Sequence, residues 1–280
     1  MKSTHVKCYS QGYADNFYHF LAQQLHGLYL YSVDNSCDLL NFYYDGPYVK
    51  IIDKIPFLKR YPLDAQPENC VAIKPISTLA RNSKRKPRLL GYSNYLKKIF
   101  LTEPIDASSK NILIAQRANN RIIKNDDELF CELKKFGTPH IVTTEALPFL
   151  AQVELIQNAK IVVAAHGAGL AHMLFAKPNT VFIEIYSKGF HGIYLYRDMA
   201  KMLGLKWDCI EANYSSWEYY SDEDISILSD YSLKYPDKIP SEILLSAKHK
   251  RIRRLIRDAR YIKCDAVEVG SKIARLLEAS

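Results

Sequence analysis

Several features are missing from this chain of 280 residues. It has no run of about 18 apolar residues, so no segment reads as a membrane-spanning helix. The opening MKSTHVKCYSQGYADN lacks the apolar segment of a signal peptide, and a cytoplasmic location is expected. Cysteine occurs at Cys8, Cys37, Cys70, Cys131, Cys209 and Cys264, without a C-x-x-C pair and without histidine at ligand spacing. That excludes a zinc ribbon or a disulfide framework and leaves six thiols expected to be reduced and buried. There is no internal repeat and no low-complexity tract, which excludes a solenoid.

What is present is a normal core and an uneven charge. Hydrophobic residues make up 48% of the chain, enough for one large or two ordinary domains. The net charge of +8 is concentrated in two places. Lys248 to Arg260 holds seven Lys/Arg against one Asp, and Arg81 to Arg88 holds five with no acid, so the remainder is slightly acidic. Membrane headgroups, a diphosphate or nucleic acid would suit such patches. Nucleic acid is the least expected, because the aromatics are not interleaved with Lys/Arg in any recognisable module.

The most informative stretch is residues 160–186, KIVVAAHGAGLAHMLFAKPNTVFIEIY. A β-branched run meets His166-Gly167-Ala168-Gly169, Leu170 to Ala176 has helical apolar spacing, and Val181 to Ile185 is a second run. This predicts strand, glycine turn, helix, strand. Two readings of the turn stay open: a tight connection, or a cradle whose backbone N–H groups meet an anion.

Before this unit, Phe17, Phe20, Leu21, Leu25, Leu28 and Tyr29 repeat with a helical period, with Asp15 or Asn16 placed to cap. Asn16, His19 and Gln23 then lie on one face, either a solvated stripe or the wall of a cleft. Short apolar runs split by prolines follow. The RNSKRKPR run reads as an exposed loop ahead of a helix at 92–100, and 102–109 as the boundary between halves.

Beyond Lys110 the pattern alternates. Strands are predicted at 111–115, 140–143, 160–165, 181–185 and 207–210, with helices at 125–135, opened by an Asn125…Glu128 capping box, and at 148–159 and 193–203. Such alternation implies a parallel sheet with ligands at the carboxyl ends of its strands. From Ser246 onward helical sequence is predicted to the end. In KHKRIRRLIRDARYI, Ile252, Leu255, Ile256, Ala259 and Ile262 share a face, which either packs on the domain or lies on an anionic membrane.

Arg117 and Arg121 follow the 111–115 strand and carry the forked guanidinium that matches phosphate oxygens, or are two surface arginines. Glu184, inside VFIEIY, needs a partner if buried: a ribose hydroxyl, an arginine, or solvent at an edge. Asp222-Glu-Asp224 reads as a helix N-terminus in preference to a metal motif, and no metal is expected.

IAQRANNRIIKNDDEL, the E-x-L-x-F-x-x-Q of Glu145 to Gln152, and HGAGLAHMLFAKP followed by VFIEI together resemble the glycosyltransferase family 61 domain. Asn16 to His19 resembles its N-x-x-H motif. The resemblance implies an α/β fold of GT-B type, two Rossmann-like domains with parallel sheets facing a cleft, plus C-terminal helices. In this chain that divides as 1–105 on the acceptor side, 106–215 for the nucleotide sugar, and 216–280 as a helical segment.

It also implies an inverting, metal-independent transfer, without a bound cofactor, from a nucleotide diphosphate sugar, commonly a UDP-sugar, to a glycan or lipid-linked glycan such as those of capsule or lipopolysaccharide. Arg117, Arg121, His166 and the backbone of Gly167, Ala168, Gly169 and Leu170 would hold the diphosphate. Glu184, or the loop after it through Lys188, would hold the nucleoside. His19, with Asn16, would orient or deprotonate the acceptor. This chain departs from the family at Gln23, where a carboxylate is usual four residues after the histidine, and at His172, where Asn is frequent. The first departure opens an alternative, a member that has kept the fold and binds without turnover; a basic nucleic-acid-binding protein is the other.

Overall fold

The computed structural model describes residues 4–8, 14–76, 85–101, 110–187, 195–212 and 261–279, in which two larger parallel sheets share a core and a third has only two strands. The first is built from β1 (Thr4–Cys8), β2 (Leu40–Tyr43), β3 (Leu58–Tyr61) and β4 (Val71–Ile73), in the order β3-β2-β1-β4. Parallel strands need crossovers. The one from β1 to β2 is a π-helical segment, His19–Gln24, running into α1 (Leu25–Asp34). A short α2 (Val49–Ile52) lies between β2 and β3.

The second sheet takes β5 (Asn111–Gln116), β7 (Thr138–Thr143), β8 (Ala159–Ala165), β9 (Val181–Tyr186) and β10 (Lys206–Glu211), in the order β10-β9-β8-β5-β7. Its strands match the predicted runs within about two residues. The inner strands β8 and β9, buried on both faces, are apolar at nearly every position, whereas the edge strands β7 and β10 carry polar residues and are more exposed. The two-residue period then sorts side chains into two layers. Leu113, Val162, Ala164 and Phe182 join a core shared with the first sheet. Ile112, Ile114, Ile161, Val163, Ile183 and Ile185 face a second core.

That second core is closed by α4 (Asp126–Leu133) and by α7 (Ala266–Glu278), whose Val269 and Ile273 are fully buried. Asp265 caps α7 by accepting from Glu268 N at 2.9 Å. Here the helical expectation for the C-terminal stretch is corrected at Tyr261 and Ile262. They form β11 (Tyr261–Ile262), which pairs in parallel with β6 (Ile122–Ile123), because Ile262 completes a β-branched layer over the sheet. The rest of the basic amphipathic stretch, 248–260, lies outside the described residues, as do Lys188, Asp222 and Asp224, and the 102–109 boundary. Asn125 is likewise used differently from a capping box. Its amide donates to Glu128 Oε2 at 2.9 Å and to the Cys264 carbonyl at 2.8 Å, tying α4 to the returning chain.

The halves are sewn together by α3 (Arg85–Phe100). Its first turn takes in the end of the basic run expected to be a loop; Pro87 is tolerated there because first-turn N–H groups have no partner within the helix. Tyr92 donates to the Leu21 carbonyl at 2.7 Å, Ser93 to Leu174 at 2.5 Å and Lys97 to Ala176 at 2.6 Å. The helix therefore grips the π-helical segment on one side and the chain after the glycine turn on the other. Among the described residues no helix is long and apolar enough to cross a membrane.

Candidate active site

In an open parallel sheet, ligands bind outside the carboxyl ends of the strands where strand order reverses. In the second sheet that place lies between β5 and β8, since the chain leaves β5 for β7 on one side and returns to β8 on the other. Arg117 stands directly after β5, and His166-Gly167 directly after β8.

The loop after β5 is held shut by Gln116, whose amide acts as a piece of backbone. It donates to the Ile123 carbonyl and to Asp126 Oδ2, both at 2.8 Å, and accepts from Ile123 N at 2.9 Å. Within that loop Arg117 Nε donates to the Asn120 carbonyl at 3.1 Å. Glu145 pairs with Arg117 Nη2 at 3.3 Å and accepts from Ala118 N at 2.9 Å. Arg121 takes a left-handed backbone (φ 55°), an uncommon conformation for a residue with a side chain, and is 8% exposed.

Both guanidinium groups point at the glycine turn. A Cβ built on Gly167 would lie 1.9 Å from Arg117 Nη1 and 3.7 Å from Arg121 Nη2. Gly167 is therefore the residue that lets the Arg117 guanidinium approach the backbone, with that of Arg121 at an ordinary contact distance beside it. Around Gly169 nothing lies within 4 Å of such a Cβ, so that side of the turn is open.

The segment after the turn corrects one expected donor. Ala168–Phe175 is a 3-10 helix, and the Leu170 N–H is already bonded to the Gly167 carbonyl at 3.0 Å. The i→i+3 pattern of a 3-10 start uses that group, leaving the N–H groups of Gly167, Ala168 and Gly169 as the ones the turn can offer.

Behind the turn lies a buried polar chain. Glu184 is 2% exposed; one carboxylate oxygen meets His166 Nδ1 and the other accepts from Trp207 Nε1 at 3.0 Å. Its two oxygens are engaged by an imidazole and an indole, and it braces the turn from beneath. Tyr196 donates to the Gly167 carbonyl at 2.6 Å. Burial first, and then the Glu184 carboxylate, push its phenol well above the ordinary value, so it remains a donor. Sequence spacing offered no signal for Tyr196 or Trp207, which reach this site only through the tertiary fold.

The first half meets the same place through the start of its helix. Asn16 Oδ1 accepts from Tyr18 N at 3.0 Å and His19 N at 3.3 Å, a helix cap. Tyr18 packs edge-on against Tyr196, with ring centres 5.5 Å apart, and Phe17 stacks on His172 at 4.8 Å. His19 Nδ1 lies 2.7 Å from Gln23 Oε1. An amide oxygen only accepts, so the proton sits on Nδ1 and the lone pair on Nε2. The π-helical turn that makes this contact is a rare geometry, frequent at functional sites.

Comparison with known proteins supplies the context. The family described as Glycosyltransferase 61 matches residues 17–183. The chain is similar to the EGF domain-specific O-linked N-acetylglucosamine transferase of Drosophila melanogaster, at 31% identity over 108 residues, 38% of this chain and 19% of that protein. It is 28% identical over 131 residues to the xylan glycosyltransferase MUCI21 of Arabidopsis thaliana, covering 44% of this chain and 26% of the plant protein. With the protein O-linked-mannose beta-1,4-N-acetylglucosaminyltransferase 2 of Xenopus laevis the identity is 28% over 145 residues, 50% of this chain and 23% of the other. The chain thus spans about a quarter or less of each of these relatives.

Proposed function

The chain belongs to the Glycosyltransferase 61 family, and from that premise we propose that it transfers a sugar from a nucleotide diphosphate sugar, with UDP as the nucleotide, to a hydroxyl of a glycan or lipid-linked glycan. The observation that carries this reading is the convergence of Arg117 and Arg121 on Gly167 at the switch point of the second sheet. A leaving diphosphate gains negative charge as its bond to the sugar breaks. Fixed donors aimed at that charge, in a site partly shielded from water, are the largest single contribution an enzyme makes to such a step.

The proposed chemistry balances with the chain's own groups. The acceptor O–H attacks the anomeric carbon from the face opposite the diphosphate, inverting it. His19 Nε2 takes the proton. The carbon–oxygen bond to the β-phosphate breaks, and the departing oxygen keeps the electron pair against Arg117, Arg121 and the turn N–H groups. Two guanidinium charges do here what a divalent cation does elsewhere, so the reaction is proposed to be metal-independent. Gln23 keeps His19 in the tautomer that accepts at Nε2. Asn16 caps the helix carrying that histidine, and Glu184 holds His166 behind the turn. The loop through Lys188 is proposed to reach the nucleoside.

In this reading the chain is of GT-B type, with 1–105 presenting the acceptor, 106–215 the donor and 216–280 a C-terminal segment whose β11 and α7 close the second sheet. The protein is proposed to be cytoplasmic, with the basic stretch 248–260 resting on an anionic membrane surface; Tyr261 and Ile262, the end of the stretch 248–262, are taken up by β11. A second reading, binding without turnover, is favoured only by the neutral Gln23 beside His19. A thermal shift series with UDP, GDP and CMP tests the first. UDP should raise the melting temperature of the wild type by several degrees. If none of the three does so, the assignment of a nucleotide-sugar site fails.

A further inference from the structure

The segment E-x-L-x-F-x-x-Q, Glu145 to Gln152, takes no part in the proposed chemistry, yet it stands at the same rim as the arginines. It follows β7, whose last residue Thr143 lies opposite Gln116 of β5, so Glu145 emerges beside Arg117. The spaced residues hold that end in place. Leu147 N donates to the Thr144 carbonyl at 3.1 Å and closes a 3-10 turn, Thr144–Ala146. Gln152 Nε2, on the helix Phe149–Asn158, donates to the Leu147 carbonyl at 2.8 Å. Phe149 packs edge-on against Phe100 and Phe175, with ring centres 5.1 and 5.8 Å apart. The turn that carries Glu145 is thus tied to the helix after it, and through Phe149 to the shared core.

From this turn Glu145 reaches across to the loop after β5. Its Oε1 pairs with Arg117 Nη2 at 3.3 Å, and its Oε2 accepts from Ala118 N at 2.9 Å. On the other side Arg117 Nε donates to Asn120, to the carbonyl at 3.1 Å and to Oδ1 at 3.2 Å. A guanidinium is planar, so partners on two of its nitrogens set the direction of the third. That third nitrogen is Nη1, the atom that a Cβ on Gly167 would meet at 1.9 Å.

A carboxylate in this place repels the anion that the two arginines attract. Its side chain is 40% exposed, so its pairing with Arg117 adds little to the stability of the fold. What the carboxylate does contribute is the aim of Arg117.

Resting on the reading of the site as a nucleotide-sugar site, we infer that Glu145 is a positioning residue: it holds Arg117 so that Nη1 meets the diphosphate at the Gly167 turn, and Leu147, Phe149 and Gln152 hold Glu145 for that task. The inference predicts an effect opposite in sign to that of charge alone. Deleting a negative charge beside a polyanion site tightens binding if only Coulomb's law acts, and weakens it if the deleted group was aiming a cation.

The test is calorimetry with pyrophosphate at low salt on the full chain, comparing wild type, Glu145→Ala and Glu145→Gln, and repeating Glu145→Ala in an Arg117→Ala background, which keeps Arg121 to bind the probe. Glu145→Ala should weaken binding roughly three- to tenfold, and Glu145→Gln, which keeps one acceptor for the loop, should recover part of the loss. In the Arg117→Ala background the same substitution should weaken nothing further. Binding that is unchanged or tighter in Glu145→Ala overturns the inference. Equal weakening in both backgrounds also overturns it, because the carboxylate would then act through the loop at Ala118 and not through Arg117. If the wild type does not bind pyrophosphate, the nucleotide-sugar reading fails and takes this inference with it; if it binds and Glu145→Ala binds as well, the inference fails alone.

Discussion

Each of the two larger parallel sheets reverses its strand order once, the first between β1 and β4 and the second between β5 and β8, yet the two crevices are built in opposite ways. At the first, the end of β4 is tied down. Gln24 donates to the Ile73 carbonyl at 3.0 Å, Ile76 N donates to the Gln23 carbonyl at 3.1 Å, and a Cβ on Gly27 would stand 2.8 Å from the Lys74 carbonyl oxygen. The helix that carries His19 is thus pressed onto the strand end. At the second, the group crowding the glycine is the Arg117 guanidinium, with that of Arg121 in ordinary contact beside it, and the far side of the turn is open. The same topology makes a rigid mount in one half and, in the other, a meeting point of two guanidinium groups at an open glycine turn.

The sharpest separation of the two should come from His19→Ala. It removes the proposed base and leaves the arginines and the glycine turn, so turnover should fall by about 10² to 10⁴ while UDP affinity stays within roughly twofold. Initial rates and calorimetry together check this. Equal losses in both would mean that the first crevice also binds the donor.

Acid should find a weak point in each half. His26, stacked on Tyr92 at 4.7 Å in the first half, and His172 beside the cradle are both held neutral by burial, with pKa values lowered from 6.5 to about 4. Above pH 6.5 neither state of the chain binds these protons. As pH falls below 6.5 the unfolded chain takes them up first, so stability declines until the folded pKa is reached near 4. Each histidine accounts for roughly 3 kcal/mol of that decline. Urea unfolding between pH 7 and 4 should show a slope that His26→Phe and His172→Phe each reduce by a similar amount. A flat profile in the wild type would contradict the burial of both rings.

A smaller but more discriminating contrast lies in two alanine substitutions. Gly27→Ala meets a backbone oxygen that has nowhere to go, so it should cost about 1 to 3 kcal/mol of stability and leave pyrophosphate binding intact. Gly167→Ala meets a flexible side-chain end, so it should melt near the wild-type temperature but weaken pyrophosphate binding roughly tenfold by displacing Arg117. The reverse pattern would show that the crevices had been assigned the wrong way round.

The sequence made the second half more legible than the first for a physical reason. Strands such as 160–165 and 181–185 are unbroken β-branched runs, and turn or helix signals bound them clearly. The first half's strands are three to five residues long, too short for a period to register, and could be read only as strands and turns in unknown order. Ile262 looked like one more position on a helical face, because a single β-branched residue fits either period; its pairing with Ile123 is a long-range fact.

Within the site, Arg117, Arg121 and the glycine turn were readable as residues adjoining strand ends, and the structure brings them to one point. The bracing of His166 by Glu184 was not readable. It depends on the register that sets Ala164 opposite Glu184, which brings the carboxylate level with the end of β8. Gln23 shows a residue whose identity was noted and whose role was not: it cannot act as a base, but its amide can set the tautomer of one.

The cradle itself is tested most directly by titrating pyrophosphate, with no nucleoside or sugar to confuse the contact, into the wild type and Arg117→Ala in a calorimeter at low salt. The expected result is enthalpic one-to-one binding to the wild type, weakened by roughly one to two orders of magnitude in the variant. Binding that is equal in both proteins, or undetectable in the wild type, would contradict the claim that Arg117 and Arg121 converge on Gly167 to hold a diphosphate.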